Sequence, residues 1–260
     1  NTGGLNDIVT NTGTITQGIN TAAGNDIFQN NGGAIDGFVV TNRGDDTVIN
    51  NGGTITGIVS LAKNNDTLAN IEDGTITGDV LLGSGDNAVT NTGSIEGNIT
   101  GESGADSIEN SGTIAGDINL GDGANSVGND ADGVITGNIT AGAGADTISN
   151  SGALNGNVTT GAGDDSVSVA AGAAISGDVD LGDGASDTLS NAGSVSGTVS
   201  GANFSLSNAE GATIAAVAGG TSDIDNDGTI DAVTSGSATV ANDGTITTID
   251  TGDAVINNAG

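Results

Sequence analysis

One branched apolar residue returns almost every twenty positions: Ile15, Ile35, Ile55, Ile76, Ile95, Ile114, Ile135, Leu154, Ile175 and Val195, then Ile214, Ile230 and Ile246, where the step drops to 16. A unit of that size is too short to bury a core of its own and too regular to be a linker. It has the length of one coil in a stack, where each coil buries its apolar face only against its neighbours. A second ladder runs Ile19, Val39, Val59, Val80, Ile99, Ile118, Ile139, Val158, Val179 and Val199, and a third runs Ile27, Val48, Leu68, Val89, Ile108, Val127, Ile148, Val167 and Leu189. Inward positions two apart, such as Val89 and Asn91, follow strand alternation. No segment carries apolar residues at helical spacing for three turns, and Ile, Val and Thr favour strands.

The spacing predicts an all-β fold, a parallel β-solenoid (β-helix) of roughly triangular section with Gly-rich corners. About thirteen coils stacked at about 4.8 Å make a rod roughly 60 Å long. Residues 1–200 carry an acidic corner in most coils. Residues 201–260 lack it and form narrower coils of the same rod. The chain reads as an excerpt of a longer repeat protein.

So much glycine, 48 of 260 residues, with no Pro, Cys or Trp, would suit a disordered low-complexity chain. The strict lattice of Ile and Val argues against that, because a disordered chain has no reason to keep one. The 33 acids face only Arg43 and Lys63, for a net charge of −31. Such a surface repels nucleic acid and anionic membranes, and it suits a hydrated extracellular protein and divalent cations. No apolar run is long enough to span a membrane, so no membrane insertion by this segment is expected.

Two residues beyond the third ladder stands a column of Asn: Asn50, Asn70, Asn91, Asn110, Asn129, Asn150, Asn191, Asn208, Asn226, Asn242 and Asn257, with Gln29 and Val169 in the same place. Val at this site argues that it points inward. Stacked inward amides can hydrogen-bond to one another and to corner carbonyls.

Before the third strand lies a corner of the form G-x-G-x-[DN], as in Gly83-Ser84-Gly85-Asp86-Asn87, Gly121-Asp122-Gly123-Ala124-Asn125, Gly142-Ala143-Gly144-Ala145-Asp146 and Gly161-Ala162-Gly163-Asp164-Asp165. Looser versions contain Asn25-Asp26, Asp45-Asp46, Asn65-Asp66, Asp106 and Asp187. Stacking sets carboxylates one strand spacing apart, where neighbours repel by about 1 kcal/mol in water and roughly 3–4 kcal/mol at an effective dielectric near 20. Counterions, raised pKa values or bound cations must compensate. Ca²⁺ takes six to eight oxygen ligands, and Gly corners expose carbonyls beside the carboxylates. The other reading of this corner is turn-forming Asp and Gly on a solvated bend.

The corner resembles the glycine-rich G-G-x-G-x-D-x-U-x calcium repeats of RTX proteins. More closely, Gly83 to Ile99 is similar to the calcium-bound solenoid of marine bacterial ice-binding adhesins, whose pattern is G-T-G-N-D-x-U-x-U-G-G-x-U-x-G-x-U. That resemblance implies calcium ligands at Asp26, Asp46, Asp66, Asp86, Asp106, Asn125, Asp146, Asp165 and Asp187. Arg43 and Lys63, in equivalent corner positions, would neutralise Asp45, Asp46 and Asp66 and displace a metal there, and Asn87 and Asn125 would weaken their sites. Asp223-x-Asp225-x-Asp227-Gly228 opens like an EF-hand loop, but its twelfth position is Thr234 and no helices flank it, so these Asp read as outward strand positions around Ile224.

Outward Thr pairs beside the first ladder (Thr14 and Thr16, Thr54 and Thr56, Thr75 and Thr77) raise ice binding, but Asp36, Glu96, Ala115 and Asn155 interrupt the array. A polysaccharide-active β-helix would need a singular constellation, and here the acidic corner recurs from coil to coil with no His. No enzyme is expected. The phrase N-[TSA]-G-x-I-x-G-x-[IV]-x-x-G-x-G-x-D is also similar to passenger regions of bacterial autotransporters. That resemblance implies export to the bacterial cell surface as a stalk, adhesin, filament or surface-layer component. Expected partners are divalent cations, other surface proteins and further copies stacked end to end.

Overall fold

The structure is a computed structural model that describes residues 3–259, and those residues form a β-solenoid of about 13 turns with no helix. A typical coil contributes three short strands, as in Thr113–Ile114, Ile118–Asn119 and Ser126–Asn129. Each strand pairs in parallel with its counterpart one coil above and one below. No helix among the described residues is long and apolar enough to cross a membrane.

The ladders stack like on like. Ile95 pairs with Ile114 and Ile114 with Ile135; Ile99 pairs with Ile118 and Ile118 with Ile139. These side chains are fully or almost fully buried and form one continuous core along the rod. A position missed by the sequence reading adds a further inward column two residues past the second ladder. It holds Thr21, Thr41, Leu61, Leu82, Leu120, Ala141, Thr160 and Leu181, all buried. Alternation would have found it, but Thr, Ala and Leu share no obvious signature. Thr41 and Thr160 are accommodated because each hydroxyl donates to the carbonyl of the same position in the next coil, Leu61 and Leu181, at 3.0 Å.

Registers correct the reading at both ends. Phe28, not Ile27, pairs with Val48 in the third ladder, and Asn30, not Gln29, pairs with Asn50. Asn258, not Asn257, pairs with Asn242. One residue of slip exchanges the two faces of a strand, and the buried ring of Phe28 settles which face is inward.

Narrowing begins after Val199, where the step to Leu206 is seven. The strand Ser194–Ser200 runs through the first corner, and Thr213–Asn226 and Thr229–Asn242 each run as one 14-residue strand past all three ladder positions. The shortening does not come from the acidic corner alone. Ile15 to Ile19 is a step of four but Ile214 to Val217 a step of three, and Val39 to Val48 is nine but Val217 to Ile224 seven. The first two corners tighten, the acidic one more, while the third step stays at six, from Ile224 to Ile230 as from Val89 to Ile95.

Candidate metal-binding column

Two inward polar columns share this interior and differ in one chemical respect. In the Asn column each Nδ2 donates to the Oδ1 of the next coil at 2.7–2.8 Å, from Asn11 through Asn150 and again from Asn191 to Asn258. Most also donate to a corner carbonyl in their own coil, as Asn50 does to Gly53 at 2.9 Å. An amide carries both a donor and an acceptor, so an endless stack satisfies itself. Where Val169 interrupts, Asn150 keeps the Gly152 and Ala174 carbonyls as partners.

The acidic column has no such complementarity. It contains Asp26, Asp46, Asp66, Asn87, Asp106, Asn125, Asp146, Asp165 and Asp187, each no more than 1% exposed. In every one, Oδ1 accepts the backbone N–H of the same position in the preceding coil at 2.7–3.0 Å. The second oxygen is orphaned. The Oδ2 atoms of Asp7, Asp26, Asp46, Asp66, Asp106, Asp146, Asp165 and Asp187 are buried and have no hydrogen-bond partner. A buried carboxylate oxygen without a donor is costly, about 1–3 kcal/mol or more for a charged group.

Asn125 shows what surrounds that second oxygen. Its Nδ2 donates to the carbonyls of Gly121 at 3.1 Å, Gly123 at 3.2 Å and Ala141 of the next coil at 3.0 Å. The repeat offers the same carbonyls to Asp146 and Asp165, where an acceptor stands in place of the amide nitrogen. The cradle is built for something positive: an N–H, an acid proton or a cation. At Asn87 the amide donates instead to the Gly85 carbonyl at 3.0 Å and to Asp106 Oδ1 at 2.9 Å.

Glycine shapes the corner. Gly163 has φ +141°, and a Cβ there would collide with the Gly144 carbonyl oxygen. At Gly101 a Cβ would collide with Asp106 Oδ2, so the carboxylate occupies the volume that Leu82 or Leu120 fills in neighbouring coils.

Burial pushes the Asp66 carboxyl up to about 7, with a smaller contribution from the charges of Asp46 and Asp45; the Asp46 N–H opposes the shift. Burial is also the main cause that raises Asp46, Asp106, Asp146 and Asp187 above the usual carboxylate range.

Of the nine residues expected as ligands, eight lie in this column and Asp86 does not. It is exposed, one residue before the inward Asn87, and its Oδ1 accepts the Ala105 N–H at 2.8 Å. It belongs to an outward ladder in which Asn6 accepts from Asn25 and Asn25 from Asp45. The D-N order at 86–87 reverses the N-D order at 25–26 and 65–66, so residue type alone misassigns the site. Arg43 and Lys63 do stack in equivalent positions, between Ala23 and Ser84, but both are exposed. Being exposed, neither enters the buried column.

The column ends at an aromatic plug that the sequence reading missed. Asp187 pairs with Phe204, which is followed by Ser222 and Ala238 in the same position, all buried. Among the described residues no three acids converge on one point. A cation here would combine column carboxylates with corner carbonyls. Asp223 and Asp225 flank the buried Ile224 on a strand, as expected. No known protein family, curated protein or solved structure matches this chain.

Proposed function

We propose that this chain is a rigid, non-enzymatic β-solenoid segment of a bacterial surface protein, a spacer or fibre whose interior column is neutralised by Ca²⁺. The observation that carries the reading is the row of orphaned Oδ2 atoms beside corner carbonyls. Asn in every coil would satisfy the cradle, as Asn125 does. Asp is useful there only if a positive partner is supplied. Asp26, Asp46, Asp66, Asp106, Asp146, Asp165 and Asp187 would hold the ions, with corner carbonyls completing an oxygen-rich set of the kind Ca²⁺ prefers. Bound Ca²⁺ would supply charge neutralisation and cross-link successive coils. Repetition of one column along the rod favours a mechanical role over catalysis, which needs unlike groups at one place. Export to the cell surface is part of the same reading, supported by the acidic surface and the likeness to autotransporter passengers.

The test is a thermal melt in calcium and in chelator, with elemental analysis of the dialysed protein. The expected result is several bound calcium ions per chain and a large upward shift in Tm. No bound metal and no shift would sink the column as a metal site.

A further inference from the structure

The outward corner between the first and second ladders carries its own vertical row: Asp79, Asn98, Asp117, Asn138, Asn157 and Asp178. Each side-chain Oδ1 in the row accepts the backbone N–H of its counterpart one coil on, or of Thr198 at the end, at 2.7–2.9 Å. Three members open the phrase Asn-x-Thr: Asn98-Ile99-Thr100, Asn138-Ile139-Thr140 and Asn157-Val158-Thr159. In each, the middle residue is buried in the second ladder. Strand alternation therefore turns the Asn amide and the Thr hydroxyl to the same outward side. All three Asn are exposed.

The amide is also held the right way round. Its oxygen is fixed by the neighbouring N–H, so its nitrogen is directed away from that ladder bond. Nδ2 of Asn98 and of Asn157 makes no hydrogen bond among the described residues, and Asn138 commits one N–H to Asp117 at 3.1 Å, leaving the other. We propose that Asn98, Asn138 and Asn157 are acceptors for N-linked glycosylation. Asn-x-Thr is the acceptor phrase for that chemistry, and its Asn must lie on a surface. The donor is a sugar activated as a nucleotide or lipid diphosphate, used by a transferase. The Nδ2–C1 bond forms, the bond from C1 to the diphosphate oxygen breaks, the diphosphate leaves with the electron pair, and one amide proton passes to a base on the transferase. The product amide keeps its oxygen in the ladder and one N–H, so Asn138 can retain Asp117 as a partner.

Stacking sets the pattern of occupancy. Asn138 and Asn157 lie in adjacent coils, about 4.8 Å apart, which is close to the width of one sugar ring; Asn98 is two coils from Asn138, about 10 Å. Sugars on Asn138 and Asn157 compete for space, while Asn98 fills independently.

The test is intact-mass and peptide mass spectrometry on protein purified from the cells that make it. Sugar-sized increments on peptides containing Asn98 and either Asn138 or Asn157 are expected, with doubly occupied 138–157 molecules scarce. Thr140→Ala keeps Asn138 but breaks the phrase, and should abolish modification there; Thr140→Ser should retain most of it. Thermal melts of both variants confirm that the rod still folds. Unmodified amides at all three positions, or sugar confined to Asn65, which opens the same phrase outside this row, and Asn203, which opens its Ser form, would overturn the proposal.

Discussion

Asp146→Asn separates an interior charge that needs a partner from one that is merely tolerated. The change keeps the oxygen that accepts the Asn125 N–H at 2.7 Å and converts the orphaned Oδ2 into a donor. Asn125 shows that such a donor finds three carbonyls within 3.2 Å. Without calcium the variant gains twice. It satisfies a buried orphan, about 1–3 kcal/mol, and removes repulsion with Asp165 one coil away, up to roughly 3 kcal/mol at an effective dielectric near 20. Discounted for partial protonation, a net stabilisation of about 3 kcal/mol is expected, or roughly 6–12 °C in Tm for a chain of this size. In saturating calcium the order should close or reverse, because the variant has lost a carboxylate ligand. The assay is a pair of thermal melts on each protein, in chelator and in calcium, with Asp86→Asn as the outward control that should move by less than about 0.5 kcal/mol. If Asp146→Asn is destabilised equally in both conditions, neither the orphaned-oxygen argument nor the cation reading stands.

Acidity should substitute for calcium. The folded pKa of Asp66, about 7, lies above the ordinary aspartate value of 3.8, so its proton is held more tightly in the folded state. The contribution is fully present below about pH 4 and is lost as pH rises through 7, by on the order of 4 kcal/mol at 1.36 kcal/mol per pKa unit. Urea melts in chelator should therefore give a higher midpoint at pH 5 than at pH 8, and Asp66→Asn should flatten that dependence; greater stability at pH 8 would contradict it. In the other polar column, Asn110→Asp places a carboxylate against Asn129 Oδ1 and the Gly112 carbonyl, now reached at 2.8 and 3.1 Å, and should cost about 3 kcal/mol or more. Asn110→Val, for which Val169 is the precedent, should cost clearly less, and a chemical denaturation series that ranked the two the other way would refute the complementarity argument. Ile114→Ala, in the fully buried first ladder, should lose about 2–5 kcal/mol by the same measurement.

Period, strand content and the identity of most ladders were legible because each depends on a local rule. A buried position in a parallel stack must repeat at coil length, and neighbours on one strand alternate faces. Ile15 to Ile246 could be read straight from the sequence, since a branched apolar residue has one reason to recur. The polar positions were less legible. Asn and Asp serve equally well on an inward ladder and on an outward one, and both kinds run through the same corners. That is why Asp86 was grouped with Asp66 when its true neighbours are Asn65 and Asp45, and why Phe204 could not be seen to end the acidic column.

Sequence by itself determined that this chain stacks into a rod, because coils this short have no other way to bury Ile and Val. Only the tertiary structure decided which carboxylate oxygens are left without a donor. Hydrogen bonding between coils joins residues about twenty apart in sequence, and a shift of one residue exchanges interior for solvent. The difference between a self-satisfying Asn column and an Asp column that calls for a cation is therefore set by register and by the direction of neighbouring carbonyls, neither of which composition or period records.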